Sequence, residues 1–269
     1  MNRNENRRPC PRWAGGGPGE SPGYFNNSMK RALLLTFVLC ALFMSACTGL
    51  LQGYSNPTTA DSSAPPSVDS SWPTIVPSSA DFDYYVLALS WAPDYCSSNP
   101  GDAQECVLSR KYAFVLHGLW PQYTSGYPSD CSLDSLPASV MVRFPNLYPN
   151  DKLFEHEWSK HGTCSGLSPA AYLTLASQLK DRVRVPEAYR APALPFHATP
   201  DDLKKAFLQA DPALIEAGLA VNCSGSGRYL KELYICFSKE GQPAACGADV
   251  RKSALKSCGN PDFIVRSVR

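Results

Sequence analysis

The sequence contains no Cys-x-x-Cys pair, no glycine-rich phosphate loop and no internal repeat. The first absence leaves structural zinc with little support. The second removes the usual grounds for NTP or dinucleotide binding, and the third argues against a repeat architecture. An apolar run from Ala32 to Met44 is too short to cross a bilayer comfortably. Charge of one sign is also missing. The formal net charge of the 269 residues is +1, and the first 46 carry six basic and two acidic side chains. What remains has 19 Lys and Arg against 22 Asp and Glu, so no global basic field exists to attract nucleic acid. Any RNA binding must rest on a local groove.

Composition divides the chain into four stretches. Residues 1–28 are rich in Arg, Asn, Gly and Pro without apolar periodicity, as in a disordered extension or an early-assigned start. Residues 29–46 pair Lys30 and Arg31 with the apolar run and end in small residues, the pattern of an export signal. Met44, Ser45, Ala46 and Cys47 resemble a bacterial lipobox with Met in place of the usual Leu. This predicts cleavage before Cys47 and lipidation of its thiol, with ordinary signal-peptidase cleavage nearby as the alternative. A periplasmic lipoprotein is therefore expected, or else a soluble periplasmic or secreted protein. Residues 47–80 are dense in Ser, Thr, Pro and Asp and read as a tether. Residues 81–269 form the expected folded domain, a monomer, whose only membrane contact is a lipid on Cys47.

Eight cysteines fall in that domain: Cys96, Cys106, Cys131, Cys164, Cys223, Cys236, Cys246 and Cys258. An even number in an exported chain implies a disulfide framework, though eight cysteines allow 105 pairings and spacing does not choose among them. Strands are predicted over 83–91 (DYYVLALSW), with Pro93 ending the run, and over 112–117, ending at Gly118. Residues 123–150 are turn-rich with at most one short helix. Ser168 and Pro169 start a helix to Val183, and Thr199 and Pro200 start another over Asp201 to Ala210. A third is expected over Pro212 to Ala217. A last strand spans 229–237 with Leu230, Glu232, Tyr234 and Cys236 on one side.

Histidine is the scarce chemical resource, with four in the chain. Three lie in two stretches, FVLHGLWPQ at 114–122 and FEHEWSKHGTC at 154–164. If the second is helical, Glu157 and His161 share a face with Lys160 bordering it, and His156 lies on an adjacent side. Gly162 suits a helix C-terminus, where the macrodipole favours a protonated His161. Zinc in the HExxH manner does not fit, because His156 and His161 are five apart and diverge by roughly 140° on a helix. His197, in a Pro-rich linker, reads as incidental.

These two stretches resemble, in order and separation, the active-site segments of the ribonuclease T2 family. The resemblance extends to LALSWAPDYC at 87–96 and to the C-terminal cysteines, about residues 82–265. It implies an α+β fold, a central antiparallel sheet with helices packed against it. It implies catalytic roles for His117, Glu157 and His161, phosphate contacts for His156 and Lys160, and base stacking for Trp120, which otherwise reads as core. It also implies the disulfides Cys96–Cys106, Cys131–Cys164, Cys223–Cys258 and Cys236–Cys246. Gln122 and Ser90 depart from residues found in other members near base-recognition positions, so base preference does not transfer.

Two imidazoles on either side of one phosphate suffice for RNA cleavage without metal or cofactor. One deprotonates the ribose 2′-hydroxyl and the other protonates the departing 5′ oxygen. His161 is the expected base and His117 the acid, with single-stranded RNA as substrate, a 2′,3′-cyclic phosphate and then a 3′-phosphate as products, and DNA resistant. The alternatives are a non-catalytic RNA- or partner-binding lipoprotein on the same scaffold, and a metallohydrolase.

Overall fold

A computed structural model describes residues 78–107 and 110–268. The export segment, Cys47 and almost all of the tether lie outside the described residues. The sheet is built on β1 (Tyr84–Trp91) and β5 (Tyr229–Ser238), which pair antiparallel in its middle. β2 (Phe114–Gln122) adds to the free side of β1, and β4 (Leu219–Ser224) pairs with β5. A short extension, β6 (Phe263–Val265) and β3 (Phe196–Ala198), completes the sheet. The pairing is antiparallel except where β6 meets β5 in parallel at Tyr229 and Ile264.

Alternation along the central strands separates two layers. Tyr85, Leu87 and Leu89 of β1 enter the main core with α4 (Asp151–Lys160), α5 (Pro169–Arg182) and α6 (Pro200–Ala210). Tyr84 and Val86 face the other way, toward a smaller cluster with Cys236, Cys246 and Ala254 of α7 (Ala248–Ser257). Predicted helix starts hold. The Ser168 hydroxyl caps α5 by accepting from the Ala171 N–H, and Thr199 and Asp202 form a reciprocal capping box on α6.

Several expectations need correction. β2 runs on through Gly118 to Gln122, for the reason given below. The helix expected over Pro212 to Ala217 is only a 3-10 turn at Glu216–Gly218, because the chain straightens at once into β4, which the sequence reading lacked. Also unforeseen were α1 (Ala92–Ser98), which uses Pro93 in its first turn, and α2 (Ala103–Cys106). In the turn-rich segment the one short helix is α3 (Ala138–Met141).

All four expected disulfides are present. Cys131–Cys164 matters most to the site, since it ties the turn-rich segment to the turn three residues after His161, across a separation of 33. Replacing both cysteines by Ser should cost about 3–4 kcal/mol on a loop-closure argument, a fall in Tm of about 10 °C for a domain this size. Thermal unfolding checks this, and a shift under about 2 °C would show that the loop is held by other contacts.

Candidate active site

The ladder between β1 and β2 contains one irregularity, and it falls on a histidine. Ala88 pairs with Gly118 and Leu89 with Leu116, which leaves His117 with no residue opposite it. Such a bulge shifts the alternation of a strand by one residue. Leu116 and Leu119 therefore both enter the main core although they are three apart. His117 and Trp120, also three apart, both face the opposite side and line one cavity. The strand continues past Gly118 because the bulge absorbs the change of face. Gly118 admits no side chain, as a Cβ there would collide with Glu157 Oε2 and Trp120 Nε1.

The second stretch supplies α4, which packs beside edge strand β2. Asn150 caps it by accepting from the Leu153 N–H, and Phe154 and Trp158, an i, i+4 pair, anchor it in the core. Glu157 is consequently buried at 1% exposure. The helix ends at Lys160. His161 is its C-cap and donates its backbone N–H to the Glu157 carbonyl at 3.1 Å. A 3-10 turn follows, Gly162–Ser165, in which Gly162 passes against the rings of Trp158 and Tyr172.

Three carboxylate contacts organise the centre. Trp120 Nε1 donates to Glu157 Oε2 at 2.6 Å. His117 Nε2 lies 3.6 Å from Glu157 Oε1. On its other side, His117 Nδ1 lies 2.6 Å from Glu232 Oε1. Glu232 comes from β5, is 2% exposed, and also accepts from Ser90 Oγ at 3.1 Å and the Tyr234 hydroxyl at 2.9 Å. The Trp120 ring sits among those of His117, His161 and Tyr234, at centroid distances of 5.1, 5.3 and 5.2 Å.

The two imidazoles are biased in opposite directions. Burial opposes protonation of His117, but the hydrogen bond and charge of Glu232, with help from Glu157, leave its pKa raised above the ordinary imidazole value. Burial also pushes Glu232 upward, yet the bond to His117 and the charges of His117 and Lys231 bring it down to about 2. At His161 burial acts with the charges of Lys160, His156 and His117, and the pKa falls to about 3. Its Nδ1 is buried without a hydrogen-bond partner. The direction is opposite to the helix-end expectation of a protonated His161: the residue does sit at the helix C-cap, but burial there and the charges of Lys160, His156 and His117 lower its pKa. Glu157 is raised to about 7, chiefly by burial, against the pull of His117, Trp120 and Lys160.

Two cavities open at this centre. One of 410 Å³ is lined by Trp120, Tyr127, Glu157, Lys160, His161 and Tyr234. The other, of 1160 Å³, is lined by Ser90, Tyr95, Glu105, Asn150, Lys231 and Glu232. His117 and His156 border both. All six chemical residues singled out from the sequence, His117, Trp120, His156, Glu157, Lys160 and His161, therefore meet at the smaller cavity. Gln122 lines it too, with its amide bonded to the Pro121 carbonyl at 3.0 Å. His197 lies on β3, paired with Asp262 at 2.9 Å, and borders neither cavity. Among the described residues, no group of three or more His, Cys, Asp or Glu is placed to hold a metal ion.

Sequence reasoning missed Glu232, Tyr234, Tyr127 and Glu105. A signal existed for Glu232, as an acidic residue on the Tyr234 and Cys236 side of an apolar strand must find a partner; Leu230, expected on that same side, is instead turned into the main core by a bulge at Lys231. Glu105, raised to about 7 by burial with Asp102 adding, had no such signal.

The sequence model of the ribonuclease T2 family matches residues 82–246. A curated relative, a "Ribonuclease" of Aeromonas hydrophila, is 43% identical over 197 residues, covering 70% of this chain and 87% of that one. A "Probable ribonuclease" of Haemophilus influenzae is 30% identical over 183 residues, 62% of each chain. Among solved structures, a variant of bitter gourd RNase MC1 in complex with 5′-UMP superposes with a TM-score of 0.53 at 23% identity, over 68% of this chain and 97% of that one.

Proposed function

The chain belongs to the ribonuclease T2 family and is an endoribonuclease of the T2 type, and on that premise we propose a metal-independent cleavage of single-stranded RNA by His161 and His117 acting as base and acid. His161 takes the proton of the ribose 2′-hydroxyl. The O2′ attacks phosphorus, and His117 gives its Nε2 proton to the 5′ oxygen as that bond breaks. The first product is a 2′,3′-cyclic phosphate. Water, activated by the now neutral His117, opens it to a 3′-phosphate while His161 returns its proton.

The observation that carries this reading is the placing of two imidazoles at one cavity with opposite biases: the Glu232 contact favours the cation of His117, and burial favours the neutral form of His161. Each bias is in the direction its role requires. Lys160 supplies positive charge beside the phosphorane, and the His156 imidazole a further contact to its oxygens. Glu157, buried and raised to about 7, is suited to donate a hydrogen bond to a phosphoryl oxygen when protonated. Because His117 and His156 border both cavities, nucleotides on either side of one phosphate have room. Trp120 and the half-exposed Tyr127 offer ring faces for a base in the smaller one.

A cleavage assay with product analysis tests the scheme. The chain should convert single-stranded RNA to cyclic phosphate ends, act as well in EDTA as without it, and leave DNA, which lacks the nucleophile, uncut. Comparable cleavage of DNA, or loss in EDTA with rescue by a divalent ion, would sink it. We further read the chain as an exported monomer, organised as signal, tether and catalytic domain and lipidated at Cys47. Four disulfides support an oxidising compartment. Metabolic labelling with palmitate, compared with Cys47→Ser, tests the anchor.

A further inference from the structure

We propose that Glu232 is a positioning residue of this active site: its carboxylate fixes the His117 ring with Nδ1–H directed into the protein and Nε2 directed at the reacting phosphate. The inference rests on the acid role given to His117 above. Its starting point is the bulge. His117 is the one residue of β2 opposite no β1 residue, so the ladder that aims its neighbours does not aim it. Glu232, unlike His117, is itself in register, paired with Ser90 of β1 on one side and Asn222 of β4 on the other, although Lys231 beside it bulges from the β4 ladder. Its Oε1 takes His117 Nδ1 at 2.6 Å and Ser90 Oγ at 3.1 Å. Its Oε2 takes the Tyr234 hydroxyl at 2.9 Å, with Lys231 Nζ at 3.4 Å. A carboxylate held at both oxygens is a rigid acceptor, and a rigid acceptor on Nδ1 sets both tautomer and ring direction.

The charge has a second effect. The titratable groups around His117 are Glu232, Lys231 and Tyr234 from β5, Glu157, His156 and His161 from α4 and its cap, and Glu105 from α2. Of these, Glu232 is the carboxylate hydrogen-bonded to the ring, at 2.6 Å against 3.6 Å for Glu157, and the one whose pKa is lowered. It keeps His117 charged until Nε2–H is transferred. It does not take the proton itself: after transfer the neutral ring still donates Nδ1–H to Glu232, and Nε2 is free to accept a proton from water in the second step.

The test compares the full chain with Glu232→Gln and His117→Ala on two substrates. One is a dinucleoside phosphate, and the other a nucleoside 3′-(4-nitrophenyl phosphate), whose phenolate leaves without acid assistance. Glu232→Gln should lose about 10²-fold or more on the dinucleotide and only a few fold on the aryl ester. The basic limb of its kcat/KM profile should move to lower pH by about one unit or more, since removing the anion lets His117 lose its proton earlier. An unmoved limb, or equal losses on both substrates, would overturn the inference. If His117→Ala itself loses equally on both, the acid assignment fails instead. Should Glu232→Gln not fold, histidine NMR titration of the wild type decides. A His117 signal titrating above free imidazole supports the role, and one at or below it refutes it.

Discussion

Replacing His161 by Ala is expected to lower cleavage by about 10²- to 10⁴-fold, the range a positioned general base contributes, and to do so equally on RNA and on the aryl ester, because deprotonating the 2′-hydroxyl is required whatever leaves. His117→Ala should spare the aryl ester, so the pair of variants assigns base and acid independently of pH. The wild-type profile adds a second reading. A base works when unprotonated, and a pKa depressed to about 3 keeps His161 unprotonated well below the ordinary imidazole range. An acid works when protonated, and the raised pKa of His117 extends its range upward. The kcat/KM plateau should therefore be wider than two ordinary imidazoles would give, with its acid limb below pH 6.5, the reference imidazole value. Glu157 sharpens the expectation, because it takes up a proton as pH falls through about 7. If activity persists below that point, protonated Glu157 is the working form, and Glu157→Gln should cost less than Glu157→Ala. An acid limb at 6.5–7 would mean that Glu157 must be ionised or that His161 is not the base.

Much of this was legible in the sequence where one residue type decides a local outcome. Ser168 with Pro169, and Thr199 with Pro200, mark helix starts because a hydroxyl and a missing N–H each answer the unsatisfied donors of a first turn. The buried strands β1 and β5 are visible as apolar runs. The two histidine stretches carried the site because few residue types can exchange protons at neutral pH. What stayed hidden depends on long-range placement. The bulge at His117 exists only in the pairing of β2 with β1, and without it the sequence ends the strand at Gly118. From the sequence Glu232 is one of four residues on an expected strand face, because its partner is a histidine 115 positions away, and the bulge at Lys231 that turns Leu230 to the other face is equally a matter of strand pairing. The protonation bias of His161 was misjudged for the same reason. Helix position can be read locally, while burial against Trp120 and the charges of Lys160 and His156 belong to the folded site.

The bulge leads to the other large expected effect. Gly118→Ala, the smallest possible addition, should reduce cleavage by about 10²-fold, the scale of a displacement near 1 Å at reacting groups, and destabilise the fold by about 1–3 kcal/mol. The new Cβ would overlap Glu157 Oε2 and Trp120 Nε1, the two atoms that hydrogen-bond each other across the site. Neither can yield easily. Glu157 is 1% exposed on a helix anchored by Phe154 and Trp158, and the Trp120 ring is held between His117, His161 and Tyr234, with its indole N–H on Glu157. The backbone cannot yield either, since Gly118 is paired with Ala88 next to the bulge. Glu157 and Trp120 must then separate, and with them the spacing between the His117 strand and the His161 helix end. Gly259→Ala, whose Cβ would meet only the Lys256 carbonyl at 3.7 Å, is the control and should change neither quantity. Full activity in Gly118→Ala would show that α4 can shift outward without cost, and that the close approach of β2 to α4 is not what sets the distance between the two imidazoles.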